Sequence, residues 1–210
     1  MIVRGIDPGP NGARAEAVIE SVNGGLRIVK AAYDYGPFRA ELCMAPYDAV
    51  VIEKCVCYGM AVGSSVFDTV LTAGQLVFMH RYAGNAVYLV PNPDWRACLC
   101  GFRQAKGKDV RARLIDIYGP VGTPKEPGPL FCIRGADGEH VVDAIGIATA
   151  FLLWKQETGK DVARSCYIRT VPEAAGGVGK AAVIEHVQPV DLLRFGHEEV
   201  RGHGGDYEFT

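Results

Sequence analysis

Short apolar runs separated by turn residues indicate that the chain begins with a set of β-strands. Residues 2–6 form a mostly apolar run that stops at Asp7-Pro8-Gly9-Pro10-Asn11-Gly12, a dense turn signal. Two further strand-like segments cover residues 15–21 and 26–33, and Asn23-Gly24-Gly25 separates them. Because Asn-Gly between apolar runs favours a tight hairpin, the chain is predicted to open as a three-stranded antiparallel meander.

After this meander the pattern changes to alternating strands and helices. Residues 49–52 form a continuous apolar run that ends on Glu53, and a strand that is hydrophobic on both faces is typical of the centre of a parallel sheet. The other predicted elements are a short helix at 38–44, a long helix at 61–82, a strand at 86–90, helices at 94–100, 108–118 and 139–157, and a hairpin made of 166–171 and 181–187. Residues 119–129 hold four prolines and three glycines and are predicted to be a loop.

The long helix at 61–82 carries two apolar stripes at helical spacing. One stripe consists of Val62, Val66, Val70, Ala73 and Val77, and the other of Phe67, Leu71, Phe78 and Tyr82. One sheet needs only one such stripe, so we expect part of this helix to be buried against a second subunit.

The order of the elements predicts an α/β fold in which a mixed sheet is covered by helices on both faces. At 210 residues the chain is long enough for one domain with a hydrophobic core and a small appendage. We place the domain at residues 1–158 and a C-terminal extension, formed by a hairpin and a flexible tail, at 159–210.

The composition is ordinary for a globular protein, with 49% hydrophobic and 22% charged residues. No apolar run reaches the roughly 18 residues that span a bilayer, and no signal peptide precedes the first strand. The seven cysteines are an odd number and too sparse for a disulfide scaffold. These features predict a cytoplasmic protein. The closely spaced pairs Cys55 and Cys57, and Cys98 and Cys100, fit buried thiols better than a zinc site, because one intervening residue is fewer than zinc ligands usually have.

The net charge of −2 does not indicate a nucleic-acid partner, but one segment is strongly basic. Between Trp95 and Arg113, six basic residues and one acid, Asp109, give a local charge of +5. The basic residues are Arg96, Arg103, Lys106, Lys108, Arg111 and Arg113. Such a patch can bind phosphates. Charge alone favours a solvated helix face over a phosphate site, and Trp95 could either stack on a base or be buried at the start of a helix.

Three acidic residues stand out because of their positions. Asp7 ends the first strand, Glu53 ends the strand predicted to lie beside it, and Asp143 lies in the first turn of an otherwise apolar helix. His140 precedes Asp143 by three residues, so the two side chains share a helix face. Carboxylates that enter one core repel each other, and a divalent cation relieves that repulsion. Singly, each acid could be a turn, cap or surface residue; together they predict a site for metal-dependent phosphodiester hydrolysis.

Three motifs in this order resemble the RuvC family of Holliday junction resolvases, which have a ribonuclease H-like fold. They are Gly5-Ile6-Asp7-Pro8-Gly9, Val51-Ile52-Glu53 and His140-Val141-Val142-Asp143-Ala144. The resemblance covers about residues 1–157 and includes residues 59–66 and 105–111. The Cys-Leu-Cys-Gly context at residues 98–101 is most similar to the phage-encoded branch of the family. The resemblance implies a five-stranded mixed sheet with helices on both faces.

The resemblance also implies a mechanism and a partner. Asp7 would bridge two Mg²⁺ ions, for which Mn²⁺ can substitute, while Glu53 would hold one ion and His140 with Asp143 the other. A basic residue within 106–108, with Lys108 favoured, would contact the phosphate that is cut. The family acts as a homodimer on four-way DNA junctions, which suits the surplus apolar stripe of the 61–82 helix.

Several alternatives stay open at this point. Some relatives place an aromatic residue shortly after the strand glutamate, whereas here Tyr58 is the aromatic in that region and is shifted along the chain. The same fold could act on flaps, replication forks or RNA, or the chain could bind junctions without cutting them. The predicted DNA contacts are Lys54, Tyr58, Arg96, Arg103, Lys106, Lys108 and Arg111.

Overall fold

The computed structural model describes residues 1–35, 45–56 and 61–158, and its centre is a five-stranded sheet. The strands are β1 Ile2–Pro8, β2 Arg14–Val22, β3 Gly25–Asp34, β4 Ala49–Lys54 and β5 Val87–Pro91. Their order in the sheet is β3-β2-β1-β4-β5. The pairs β1–β2 and β2–β3 are antiparallel, whereas β1–β4 and β4–β5 are parallel. The predicted meander and the predicted mixed sheet are therefore confirmed.

A two-residue turn joins β2 to β3. Val22 pairs with Gly25, and the intervening Asn23 and Gly24 have φ values of 52° and 80°. Both central residues of a type I′ turn need positive φ, which asparagine and glycine tolerate better than other residues. This local requirement explains why the sequence alone locates the hairpin.

Within the described residues, four α-helices follow the meander and bear out the predicted alternation. They are α1 Ser64–Tyr82, α2 Asn92–Cys100, α3 Gly107–Tyr118 and α4 Gly138–Thr158, with single 3₁₀ turns at Pro10–Gly12 and Phe131–Ile133. α2 begins two residues earlier than predicted, because Pro93 lies in its first turn, where the missing N–H costs no hydrogen bond. α1 begins three residues later than predicted, after an extended Gly63. None of the helices in the described ranges is long and apolar enough to span a membrane.

The helices cover both faces of the sheet, as predicted. Helices α2, α3 and α4 pack on one face and form the larger core, which includes Val51 of β4 and Phe151 of α4. Helix α1 packs on the opposite face, where Leu76 contacts a smaller cluster that contains Ile52. Neighbouring residues of β4 thus point into different cores, which explains the continuous apolar run at 49–52.

Gly5 lets α4 approach β1 closely. A Cβ atom at this position would lie 2.3 Å from the carbonyl oxygen of Ala144 and 2.8 Å from the backbone nitrogen of Ala148. Neither backbone atom can move aside cheaply, so only glycine fits. The close contact brings the first turn of α4 next to the end of β1.

The inward face of α1 agrees only in part with the predicted stripes. Thr72, Leu76 and His80 are the buried residues of this helix; of the first predicted stripe, Ala73 and Val77 pack against the smaller cluster, whereas Val70 is exposed. The reason is that the sheet itself is polar on this side, where the buried guanidinium of Arg4 pairs with Glu16. The second stripe is exposed along its length, with Phe67, Leu71, Phe78 and Tyr82 all facing away from the sheet.

Some predictions fall outside the described residues. These are the short helix at 38–44, the side chains of Cys57 and Tyr58, and the extension at 159–210 with its hairpin. Of the second cysteine pair, Cys98 donates its thiol to the carbonyl oxygen of Ala150 at 3.2 Å, a contact that fits a thiol in the core.

Candidate active site

The parallel pairing of β1 with β4 places two of the predicted acids side by side. Gly5 pairs with Val51 and Ile6 with Ile52, so Asp7 and Glu53 follow one residue later at the same edge of the sheet. Side chains alternate along a strand, and both acids lie on the face that carries α4. The first turns of α4 add His140 and Asp143 above them. The fold therefore brings together the four residues that the sequence singled out.

Asp7 lies next to the histidine of α4. Its Oδ2 atom is 2.8 Å from Nδ1 of His140, and its side chain is only 13% exposed, against 55% for the histidine. Nδ1–H of the ring donates to the carboxylate either in the neutral Nδ1–H tautomer or in the imidazolium. His140 is thus tied to Asp7 across 133 residues of sequence.

Glu53 is held by two neutral donors from α2. The indole N–H of Trp95 donates to Oε2 of Glu53 at 2.9 Å, and the amide of Asn92 lies 3.2 and 3.3 Å from the two carboxylate oxygens. Trp95 is buried, which decides between its two predicted roles in favour of the core. Sequence reasoning missed both residues as partners of Glu53; the signal was the Pro91-Asn92-Pro93 turn at the end of the strand beside β4.

Asp143 forms an ion pair with Arg96 of α2. Nη2 of Arg96 lies 3.0 and 3.2 Å from the two carboxylate oxygens, and Nη1 donates to the carbonyl oxygen of Ala105 at 3.0 Å. Both partners are mostly buried, with side-chain exposures of 17% and 20%. Arg96 was predicted to contact DNA, but in this arrangement its guanidinium binds the carboxylate of Asp143.

Burial of these acids raises the pKa of each carboxyl group. The pKa of Glu53 rises to about 7, mainly because of burial and secondly because of the negative charge of Asp7. The pKa of Asp143 rises to about 6 for the same main reason, although Arg96 opposes the rise. Burial also raises the pKa of Asp7, against the opposing effect of His140. The cluster thus concentrates negative charge that a nearby cation would stabilise.

The carboxylate groups at this site are ligands of the kind that magnesium prefers. Mg²⁺ prefers carboxylate oxygens, and the three carboxyl groups of Asp7, Glu53 and Asp143 come from separate elements that meet at one edge. Among the residues that the structure describes, no three His, Cys, Asp or Glu side chains converge closely enough to hold an ion in this arrangement. Asp143 is turned toward Arg96, whereas His140 contacts Asp7.

The predicted basic residues divide into two groups. Lys106 and Lys108 are exposed at the start of α3. The start of α3 lies beside the start of α4, as shown by Gly107, where a Cβ atom would lie 2.7 Å from Oε2 of Glu139. Arg103 instead pairs with the buried carboxylate of Asp94 at 2.6 Å. The other predicted contacts are Arg111, half-buried on α3, Lys54, half-buried at the end of β4, and Tyr58, outside the described residues.

Comparison with known proteins finds similarity in structure but not in sequence. The chain matches no family model and no curated protein sequence. It is similar to the solved structure of Thermus thermophilus RuvC, with a TM-score of 0.56 and 18% identity, over 75% of this chain and 97% of that one. The same values hold for T. thermophilus RuvC in complex with a Holliday junction substrate, of which 96% is covered. The yeast mitochondrial Holliday junction resolvase Ydc2 matches with a TM-score of 0.53 and 10% identity, over 75% and 81% of the two chains. The chain therefore has the ribonuclease H-like α/β fold of RuvC and Ydc2.

Proposed function

We propose that this protein is a magnesium-dependent endonuclease that resolves four-way DNA junctions. The observation that carries the proposal is the meeting of Asp7, Glu53 and Asp143 at one edge of the sheet, each buried enough for its pKa to rise. Burial of three carboxyl groups together destabilises a fold unless a cation compensates. The likeness to RuvC in complex with a Holliday junction supports branched DNA as the substrate.

In this proposal Asp7, Glu53 and Asp143 would hold two magnesium ions, with His140 as the fourth ligand. When bound, the ions would supply the charge that activates a water molecule and stabilises the leaving oxygen. The indole of Trp95 keeps the Glu53 carboxylate in a fixed orientation, as groups that hydrogen-bond metal ligands generally do.

The basic residues at the start of α3 would hold the DNA backbone. Lys106 and Lys108 are exposed, and the contact of Gly107 with Glu139 places them close to the first turn of α4. Their ammonium groups would neutralise phosphates next to the acidic cluster. Lys108 is the candidate for the phosphate that is cut.

The exposed stripe of α1 would form the interface of a homodimer. Phe67 and Leu71 are each 63% exposed, and the rings of Phe78 and Tyr82 stack on each other at the surface with their centroids 6.2 Å apart. Large apolar side chains in one stripe are typical of protein–protein interfaces. Two copies would present two acidic clusters, as paired cuts in a four-way junction require.

The test is cleavage of a synthetic mobile four-way junction by the full chain, beside linear duplex, flap, fork and RNA substrates. We expect paired symmetric nicks in the junction with Mg²⁺ or Mn²⁺ and none in chelator. Preferential cleavage of a flap, a fork or RNA would keep the nuclease and change its substrate. Junction binding without cleavage of any substrate would favour a silent junction-binding protein.

An Asp7→Asn variant separates binding from chemistry. We expect it to bind the junction with unchanged affinity in chelator and to cut it at least about 100-fold more slowly in Mg²⁺, because the amide is a poor substitute for an ionised metal ligand. Asp116→Asn, which alters an exposed aspartate on α3, is the matched control and should cut normally. Retained cleavage by Asp7→Asn would remove Asp7 from the site.

A further inference from the structure

Two tyrosines lie next to each other at the end of β3, on the face of the sheet that carries α4. Tyr33 and Tyr35 are two residues apart, so their side chains point to the same side. Their rings meet edge to face, with centroids 4.5 Å apart and an angle of 61° between the planes. Tyr33 packs against the larger core, whereas Tyr35 is 69% exposed.

The exposed ring of Tyr35 is held in place at both ends. Its hydroxyl group donates to Oδ1 of Asp137 at 2.6 Å, and its edge contacts Tyr33. Asp137 belongs to the turn that starts α4, since its carbonyl oxygen accepts the backbone N–H of Val141 at 3.2 Å. An aromatic ring that is fixed in this way but largely open to solvent offers a preorganised surface for a planar ligand.

This pair of rings borders the acidic cluster. The ring of Tyr33 lies 5.4 Å from the ring of His140, whose Nδ1 atom is 2.8 Å from Asp7. The rings lie on the β3 side of Asp7, whereas Glu53 and its partners from α2 lie on the β4 and β5 side. A nucleotide with its phosphate at the acids therefore has a protein surface within reach of its neighbouring base.

We propose that Tyr33 and Tyr35 form a stacking platform for a nucleobase beside the phosphate that is cut. Aromatic side chains bind bases of any sequence through their π-faces, and fixed rings do so at low cost in conformational entropy. Tyr35 supplies the open ring and Tyr33 supports it from the core. The platform rests on the proposed function, since it requires a nucleic acid at the acidic cluster.

The test uses the full chain and a four-way junction in which 2-aminopurine replaces single bases. Cleavage of the unlabelled junction in Mg²⁺ first maps the cut, and the label is then placed at each position on either side of it. Fluorescence is read in chelator, so that the DNA stays intact. We expect binding of the wild-type protein to quench the label at one position next to the cut.

Two substitutions of Tyr35 distinguish stacking from a structural role. Tyr35→Leu removes the ring and should abolish the quenching and weaken binding about tenfold, the size expected for one stacked base. Tyr35→Phe keeps the ring, loses the hydrogen bond to Asp137, and should keep the quenching and bind within about twofold of wild type. Val29→Ala, which trims an exposed apolar side chain about 20 Å away along β3, is the control and should behave as wild type.

Each outcome bears on the platform separately from the proposed function. Absence of quenching at every position, in a wild-type protein that binds and cuts the junction, would overturn the platform and leave the nuclease in place. Quenching that survives Tyr35→Leu, or that is lost equally in Tyr35→Phe, would also overturn the platform; the second result would assign Tyr35 to positioning α4 through Asp137. A wild-type protein that neither binds nor cuts branched DNA would refute both proposals.

Discussion

Replacing Glu53 by glutamine should stabilise the protein when no metal is present. The side chain of Glu53 is largely buried beside Asp7, and its hydrogen bonds come from the neutral groups of Trp95 and Asn92. Glutamine has almost the same shape, and its carbonyl oxygen can still accept the indole N–H of Trp95. The substitution therefore removes the buried negative charge and keeps the packing.

The size of the effect follows from the pKa of Glu53, which rises from 4.5 to about 7 on folding. A shift of that size corresponds to about 3 kcal/mol at pH 8, because the folded state must carry a charge that it disfavours. The folded protein holds the Glu53 proton more tightly than the unfolded chain, so its stability falls as the pH rises from about 4.5 to about 7 and stays low above that. Allowing for the weaker hydrogen bonds of an amide, we expect Glu53→Gln to gain about 2 kcal/mol at pH 8 and nearly nothing at pH 4.5.

The assay is urea or thermal unfolding in chelator at pH 8 and pH 4.5. A gain of about 2 kcal/mol raises the melting temperature of a domain of this size by about 4–8 °C. Glu126→Gln, at an exposed glutamate in the 119–129 loop, is the control and should change little at either pH. In Mg²⁺ the order should reverse, because the ion stabilises only the form that binds it. Equal stability of Glu53→Gln and wild type at pH 8 would refute the argument that the buried negative charge of Glu53 destabilises the metal-free protein.

Three further substitutions test other parts of the structure. Gly5→Ala should cost at least about 3 kcal/mol in urea unfolding, since its Cβ meets the backbone of α4; a loss below about 0.5 kcal/mol would show that α4 shifts freely. Leu71→Glu should yield a monomer in sedimentation without loss of melting temperature, and a persisting dimer would place the interface elsewhere. Lys108→Ala should weaken junction binding and reduce the slope of log affinity against log salt concentration by about one, whereas Lys125→Ala in the loop should do neither. Equal effects of the two substitutions would show that Lys108 does not contact a DNA phosphate.

The parts of the fold that depend on local chemistry could be predicted from the sequence. Asn23 and Gly24 occupy the two positive-φ positions that a two-residue hairpin requires, and this determines the meander. The run at 49–52 is apolar on both faces because helices cover both faces of β4. Such patterns depend on neighbours a few residues away, so one sequence suffices to detect them.

The inward face of α1 could not be predicted in this way. Hydrophobic periodicity predicts a stripe through Val70, Ala73 and Val77, but the structure exposes Val70 and buries the polar Thr72 and His80. The cause lies on other elements, where Arg4 and Glu16 make this face of the sheet polar and a purely apolar stripe would not match it. Burial also lowers the pKa of His80 to about 4, so the imidazole is neutral inside the fold at ordinary pH.

The acids of the candidate site could be predicted as strand and helix ends, but their partners could not. Arg96 meets Asp143 across 47 residues, and Trp95 meets Glu53 across 42. Two consecutive residues of α2 thus donate hydrogen bonds to two different carboxylates. Only the placement of α2 over the ends of β4 and β5 decides which side chain reaches which acid.

The Arg96–Asp143 and Trp95–Glu53 pairs stabilise the negative charges of the two carboxylates to different extents. Asp143 faces a guanidinium, and its pKa rises to about 6, whereas Glu53 faces neutral donors, and its pKa rises to about 7. The charge that this fold disfavours most therefore sits on Glu53, next to Asp7. A cation bound between Asp7 and Glu53 would recover the most free energy there, while one bound at Asp143 would compete with Arg96. We therefore expect the first ion to bind at Asp7 and Glu53, and the second to bind more weakly, after Arg96 has released Asp143.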